Sequence, residues 1–500
     1  MKTSNSDYLN TFGVTPEQLQ ALVAEGLRGG GDWCDLFFED SSYTELMLRD
    51  GEVSAGGSHI DYGCGIRVLC GEKTGYGYAE STDYSALLSA ARSASAISQT
   101  GAERAVARKQ LKYSQLPEAP LTPQGQRRFK QNTAVQTVSR HDQLYPQRKD
   151  WRESRAAELV PVLRKLENLI RAKDSSVHKV IAMLAWQVSD ILMYNSLGEI
   201  TTDTRPVGSI TVTVIFVRGG RTEMNNASRS FRMGAEMITD ALLEELATQV
   251  TAGMDERFDA RRPKGGKMPV VMAAGASGIL LHEAMGHAFE ADFNRKGQSI
   301  FADKMGKRVA PKGINILDDA TIPGNRGAVN VDDEGVRGQK TYMVEDGILR
   351  SYLHDRISAA FYGVAPTGNG RRESFRYNPI PRMRCTYMES GRDGSCEDLI
   401  ASVKKGIFVD QFSNGEVKIG EGDFTFYVKS GRLIENGCLT MPVKDINIVG
   451  NGPRALADIV AVAGDLKIDD STWTCGKEQS ALVSCGIPSV LVKSLTVGGE

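Results

Sequence analysis

Two of the chain's six histidines, His282 and His287, stand five residues apart in LHEAMGHAFEAD, with Glu283 beside the first. Two histidines and a glutamate in this order have the composition of a zinc-peptidase helix. There, two imidazoles on one face hold the ion and the carboxylate reaches the water that it activates. The spacing here is one residue longer than such a helix uses. A four-residue step on an α-helix leaves two side chains about 40° apart, whereas a five-residue step leaves them about 140° apart. A π-bulge, at about 4.4 residues per turn, returns them to within roughly 50° of each other. Gly286 eases a local distortion of this kind. We therefore expect a wide turn at His282. The opposing reading, two histidines on an Ala-rich core helix, buries two imidazoles and a carboxylate without partners, which is costly.

Catalytic zinc generally takes three protein ligands and keeps one position open. Glu290, three residues after His287, lies near the same helical face and is the local candidate for the third. Cys475, in WTCGKEQ, is the distant one. A thiolate suits zinc, Lys477 is placed to lower its pKa, and Gly476 would let the backbone approach closely. The residues alone leave both candidates open, since a free cysteine is more often a small buried side chain.

The surrounding elements must bring these groups together. VTPEQLQALVAEGLRGGG opens on Thr15 as N-cap with Gln18 completing a capping box, and predicts a short helix. Cys34 to Glu39 and Tyr43 to Arg49 read as strands, followed by an Asp50-Gly51 hairpin turn and a helix from Tyr84 to Ser98. From 99 to 151 the composition is polar and contains proline, as expected of a surface excursion. A helix with Leu159, Val162, Leu163, Leu166 and Ile170 on one face and an early kink at Pro161 comes next. Strands then alternate from Lys179 to Met224, and a helix spans about Met233 to Met254. RRPKGGKMP, Arg261 to Pro269, divides an N-terminal domain, 1–260, from a C-terminal one, 268–500. In the second, a strand from Pro269 to Ala273 and a turn capped by Ser277 lead into the histidine segment. Short strands and a helix near Leu399 to Gly406 follow. The fold class is α+β: a mixed helix and antiparallel-sheet domain, then a strand-rich domain carrying the metal-binding helix.

Sixty Lys and Arg against 62 Asp and Glu leave a net charge of -2, which offers no general attraction to nucleic acid or an anionic membrane. The opening residues lack the apolar core of a secretory signal, and no uncharged apolar run reaches bilayer length. Eight cysteines without a CxxC pair fit reduced thiols in a cytoplasm. His354 and His59 have no metal-spaced partner and read as surface or strand polar residues.

HEAMGHAFEADFNRKG, DDEGVRGQ, GILRSYLHDR, PTGNGRRES, PRM, LIENG, PVKDINIVGNG, TCGKEQ and LTVGGE, in that order, resemble the TldD family of metallopeptidases, relatives of the PmbA (TldE) proteins often labelled modulators of DNA gyrase. CDLFFEDS, LRDGEV and GCGIRVLCGEKTGYGY extend the likeness, more loosely, into the N-terminal half. After TCGKEQ the chain reads SALVSCGIPSV, a departure from the family's Gly- and Val-rich run. The resemblance implies that His282, His287 and Cys475 are ligands of one zinc ion per active site and that Glu283 is the general base. Glu290 then becomes a supporting carboxylate. It further implies hydrolysis of unfolded or flexible peptides inside a two-chain assembly, with a TldE/PmbA-like partner or as a homodimer. Arg371, Arg372 and Glu373 in GNGRRES are candidates for the substrate cleft, with turn-stabilising ion pairs as the plainer reading. The competing function is a non-catalytic binding protein or regulatory subunit acting on DNA gyrase or a toxin. Such a protein has no reason to keep the four site residues together.

Overall fold

A computed structural model describes residues 4–96, 136–137 and 143–498. Most of the expected polar excursion, 99–135 and 138–142, lies outside the described residues, as do the last residues of the helix expected to end at Ser98.

The N-terminal half is built on one seven-stranded sheet in which two antiparallel three-stranded meanders lie side by side, with Gln136–Thr137 added in parallel to Glu199–Arg218. Strands run in the order Lys73–Ala79, Glu52–Cys70, Trp33–Arg49, Val177–Asn195, Glu199–Arg218, Arg221–Phe231. Asp50 and Gly51 turn the first hairpin with φ of 50° and 77°, the left-handed geometry that Asp-Gly accommodates. The two strands read on either side of Ser41 are one, Trp33–Arg49. It is paired throughout with Glu52–Cys70 and along 35–49 with Val177–Asn195. Ser41 interrupts nothing because its hydroxyl meets that of Ser189 at 2.6 Å across the sheet. Paired neighbours override weak local propensity here.

The sheet needs cover on its apolar face. Helix Ala156–Lys173 supplies it with Leu159, Leu163, Leu166 and Ile170, each contributing about 1.5–3 kcal/mol on burial. The helix includes Pro161. The helix expected from Met233 starts instead at Asp240, where the Thr239 hydroxyl accepts from the Leu242 N–H. Before it, the Trp151 indole donates to the Met233 carbonyl. Helix Pro16–Leu27 begins with the expected Thr15–Gln18 capping box, and packs with Tyr84–Ser95 on the other end of the sheet.

In the C-terminal half five strands close on themselves. Gly266–Met272 pairs with Lys405–Lys418 and Val490–Gly498. Asp423–Glu435 pairs with Lys405–Lys418 and Asn447–Asn451, and the last joins Val490–Gly498. Closure leaves these strands no open edge along the ring. A second, six-stranded sheet includes Ile316–Asp319, Cys385–Met388 and Ser484–Ile487. The helix expected near Leu399 is Cys396–Ala401. Leu281, Met285 and Phe289 of the histidine segment share one core with Phe426, Ile448 and Val492 of the ring.

The halves meet through buried charge. Arg67 donates to Asp35 of its own sheet at 2.6 and 2.9 Å and to Glu334 of the C-terminal half at 2.7 Å. Arg205 pairs with Asp333, so the DDEGVRGQ stretch faces the N-terminal sheet. Among the described residues no helix is long and apolar enough to cross a membrane.

Candidate metal centre

Strand Gly266–Met272 delivers the chain to Gly275, whose φ of 96° redirects it into the histidine segment. Ser277 does not cap this turn: its hydroxyl is buried and makes no hydrogen bond among the described residues. One α-turn, Ile279–Leu281, widens into a π-turn at His282–Gly286 and tightens again at His287–Phe289. The wide turn sets the two imidazoles 5.1 Å apart, with ring planes at 81°. Gly286 has an ordinary helical φ of -55°, so its backbone freedom is not what the turn requires. A Cβ there would fall 2.0 Å from Met383 Sδ, and close packing is the reason for glycine. Gly452 in the VGNG stretch works alike, since its Cβ would fall 2.2 Å from the Ala284 carbonyl oxygen.

Cys475 arrives on the hairpin of Thr474–Lys477 and Gln479–Leu482. Its Sγ lies 3.1 Å from His287 Nε2, and the donor atoms of His282, His287 and Cys475 all fall within 4.8 Å of one another. All three side chains are buried. Among the described residues this is the one grouping of three or more His, Cys, Asp or Glu donors that converges so. Tetrahedral zinc with bonds of about 2.0–2.3 Å needs donors about 3.3–3.8 Å apart, so the grouping fits the ion with little adjustment. His287 offers Nε2 because Nδ1 is held by Glu290 Oε2 at 2.9 Å. Glu283, beside His282 on the π-turn, is partly exposed.

The electrostatics favour a thiolate at Cys475 and a proton on His287. Burial pushes the Cys475 thiol up, but His282 and His287 more than offset it and bring the group down to about 4. Burial likewise raises Glu290, while Lys477 and His287 pull its carboxyl down to about 2. Burial lowers His287, and Glu290 and then Cys475 reverse this and hold it well above the usual imidazole range. Entry of a metal therefore displaces a proton.

Glu290 sits at the Nδ1 nitrogen of His287, where a supporting carboxylate would be, and not among the converging donors. Several other expectations need revision. Lys477 does not reach the thiol. Its Nζ donates to Asp292 at 2.8 Å, to the Pro381 carbonyl at 3.1 Å, and lies 3.0 Å from Glu290 Oε2. Gly476 permits no close approach, because a Cβ there meets nothing within 4 Å. His354 is buried between Tyr352 and Tyr362, whereas His59 lies on an exposed strand against the Tyr43 ring. Arg371 and Arg372 are buried. The first donates to the carbonyls of Met383 and Leu482. The second donates to that of Asp333 and lies 4.2 Å over Phe37. Glu373 accepts from the Ser480 N–H on the cysteine hairpin. The residue that spacing missed is Arg382, which donates to the Cys475 carbonyl at 2.7 Å.

Two imidazoles and a thiol whose donor atoms lie within 4.8 Å of one another make up a class of donor set that can hold a transition metal. The chain matches the PmbA/TldA metallopeptidase domain 1 over residues 34–98, the central domain over 149–253 and the C-terminal domain over 265–499. It is 34% identical to the metalloprotease TldD homolog of Haemophilus influenzae, covering 94% of this chain and 93% of that protein. It is 35% identical to the zinc metalloprotease TldD homolog of Saccharolobus solfataricus over 50% of this chain and 57% of that one. The fold also matches the crystal structure of TldE from Thermococcus kodakarensis, with a TM-score of 0.72 and 18% identity, covering 96% of this chain and 100% of that one. The chain belongs to the PmbA/TldD metallopeptidase family.

Proposed function

We propose that this protein is a zinc-dependent peptidase that cleaves unfolded or flexible peptides, with His282, His287 and Cys475 as ligands and Glu283 as general base. The observation that carries the reading is the convergence of those three buried donors from segments 188 residues apart. A zinc ion held there would supply Lewis acidity toward a water and a peptide carbonyl. Glu283 takes the proton of the attacking water and returns it to the departing amine. Glu290 keeps His287 in the tautomer and orientation that present Nε2. The likeness to a TldE fold supports a TldE/PmbA-like second chain as partner. A purely regulatory role leaves the buried donors without a purpose.

The test is metal analysis of purified wild-type and Glu283→Gln protein, followed by incubation with an unstructured peptide, with and without a TldE-like partner. We expect the variant to retain stoichiometric zinc and to lose cleavage. Cleavage at the wild-type rate by the variant would remove Glu283 from the mechanism.

A further inference from the structure

The hairpin that carries Cys475 is a sheet of its own. Thr474–Lys477 and Gln479–Leu482 pair only with each other among the described strands. They turn through Glu478 with a left-handed φ of 57°. An isolated two-stranded ribbon is marginally stable, so other contacts must fix where its thiol sits. Arg371 and Glu373 each hold its second strand at one point, and Arg382 joins the two strands from a fully buried position, 1% exposed. Its Nη2 donates to the Cys475 carbonyl at 2.7 Å and its Nη1 to the Gln479 carbonyl at 2.6 Å, so one planar fork holds both strands. Its Nε faces Glu290 Oε1 at 3.9 Å, and Oε1 accepts no hydrogen bond among the described residues. The other oxygen of that carboxylate holds His287 Nδ1. One guanidinium thus reaches the backbone of one ligand and the supporting carboxylate of another.

We propose that Arg382 is a positioning residue of the metal centre, fixing the separation of the Cys475 sulfur from the His287 ring before an ion enters. This rests on the His282, His287 and Cys475 reading above. Lysine keeps the charge but has no fork to grip two carbonyls at once. Arg384 is the matched comparison. It is equally buried and lies two residues away, but it donates to the Gly368 carbonyl instead of the ribbon.

Cobalt(II) is the probe, because a thiolate ligand gives a near-ultraviolet charge-transfer band distinct from the visible d–d bands. The ligand reading requires this band in wild-type protein and its loss in Cys475→Ala. Absence of the band from wild type would overturn that reading, whatever Arg382 does. With the band established, Arg382→Lys and Arg382→Gln are each checked for cooperative unfolding, and either folded variant carries the test. We expect cobalt affinity to fall roughly tenfold or more, the scale on which partners of metal ligands act. The charge-transfer band should weaken more than the d–d bands, and Arg384→Lys should match wild type. Wild-type affinity and band in a folded Arg382 variant would overturn the proposal, as would an equal loss in Arg384→Lys.

Discussion

Glu290 Oε2 lies 2.9 Å from His287 Nδ1, and the carboxylate is completely buried. Its negative charge is balanced by Lys477 rather than by water. On the proposed reading of the site, the pair makes Glu290 a partner of the ligand His287 rather than a ligand itself. Glu290→Gln should keep a hydrogen bond to the ring while losing the charge. Zinc affinity is expected to drop about tenfold, against near-complete loss in Cys475→Ala. Competition with a chromogenic chelator measures both. Equal losses in the two variants would return Glu290 to the coordination sphere.

Gly286 tests the packing of the wide turn. Overpacking a core typically costs about 1–3 kcal/mol, whereas replacing a helical glycine by alanine gains up to ~1 kcal/mol in propensity. With a Cβ falling 2.0 Å from Met383 Sδ, the steric cost should win and Gly286→Ala should destabilise. Met383→Ala opens the space, so the double variant should be more stable than the sum of the single losses. Strict additivity in denaturant midpoints would mean that Met383 is not the obstacle.

Arg67 bridges the two halves with no exposed surface. Arg67→Met removes the cation shared by Asp35 and Glu334, and breaking a buried pair in this way costs about 3–5 kcal/mol. A lower melting temperature and faster limited proteolysis are expected. Unchanged values for both would show that the other contacts between the halves suffice.

Glu39 sets a pH dependence away from the metal centre. Burial raises its carboxyl to about 7 against bonds from the Ser41 hydroxyl and the Phe375 N–H, with Asp333 and Asp61 adding to the rise. Because the folded value lies above the unfolded one, folding takes up a proton. Its contribution is fully present below about pH 4.5 and is lost as pH climbs through about 7. The cost above that point is on the order of 3 kcal/mol. Glu39→Gln should gain stability relative to wild type between pH 5 and 8 and not at pH 4. Parallel melting curves across that window would dismiss the effect.

The features legible in the sequence are those decided within a few residues. The π-turn followed from the angular arithmetic of a five-residue step, the first hairpin from Asp50-Gly51, and helix Pro16–Leu27 from Thr15 and Gln18. Features decided by distant partners were not. Residues 40–42 fall between two strands when read from sequence, because Ser189, the partner of Ser41, is 148 residues away. Lys477 looked like a neighbour of the thiol because Glu290 and Asp292 are remote in sequence. Cys475 was singled out by resemblance rather than by spacing. Arg382 stood in the PRM stretch of the resemblance but without a role, because its acceptors are backbone carbonyls 93 and 97 residues away, and a carbonyl has no letter in a sequence.

The separation of His287 from Cys475 also orders events in time. A ribosome delivers the two imidazoles 188 residues before the sulfur. At about 5–20 residues per second the interval lasts roughly 10–40 s. Throughout it the emerging polypeptide lacks one of the three converging donors, so on the proposed reading the centre cannot assemble until Cys475 has been made.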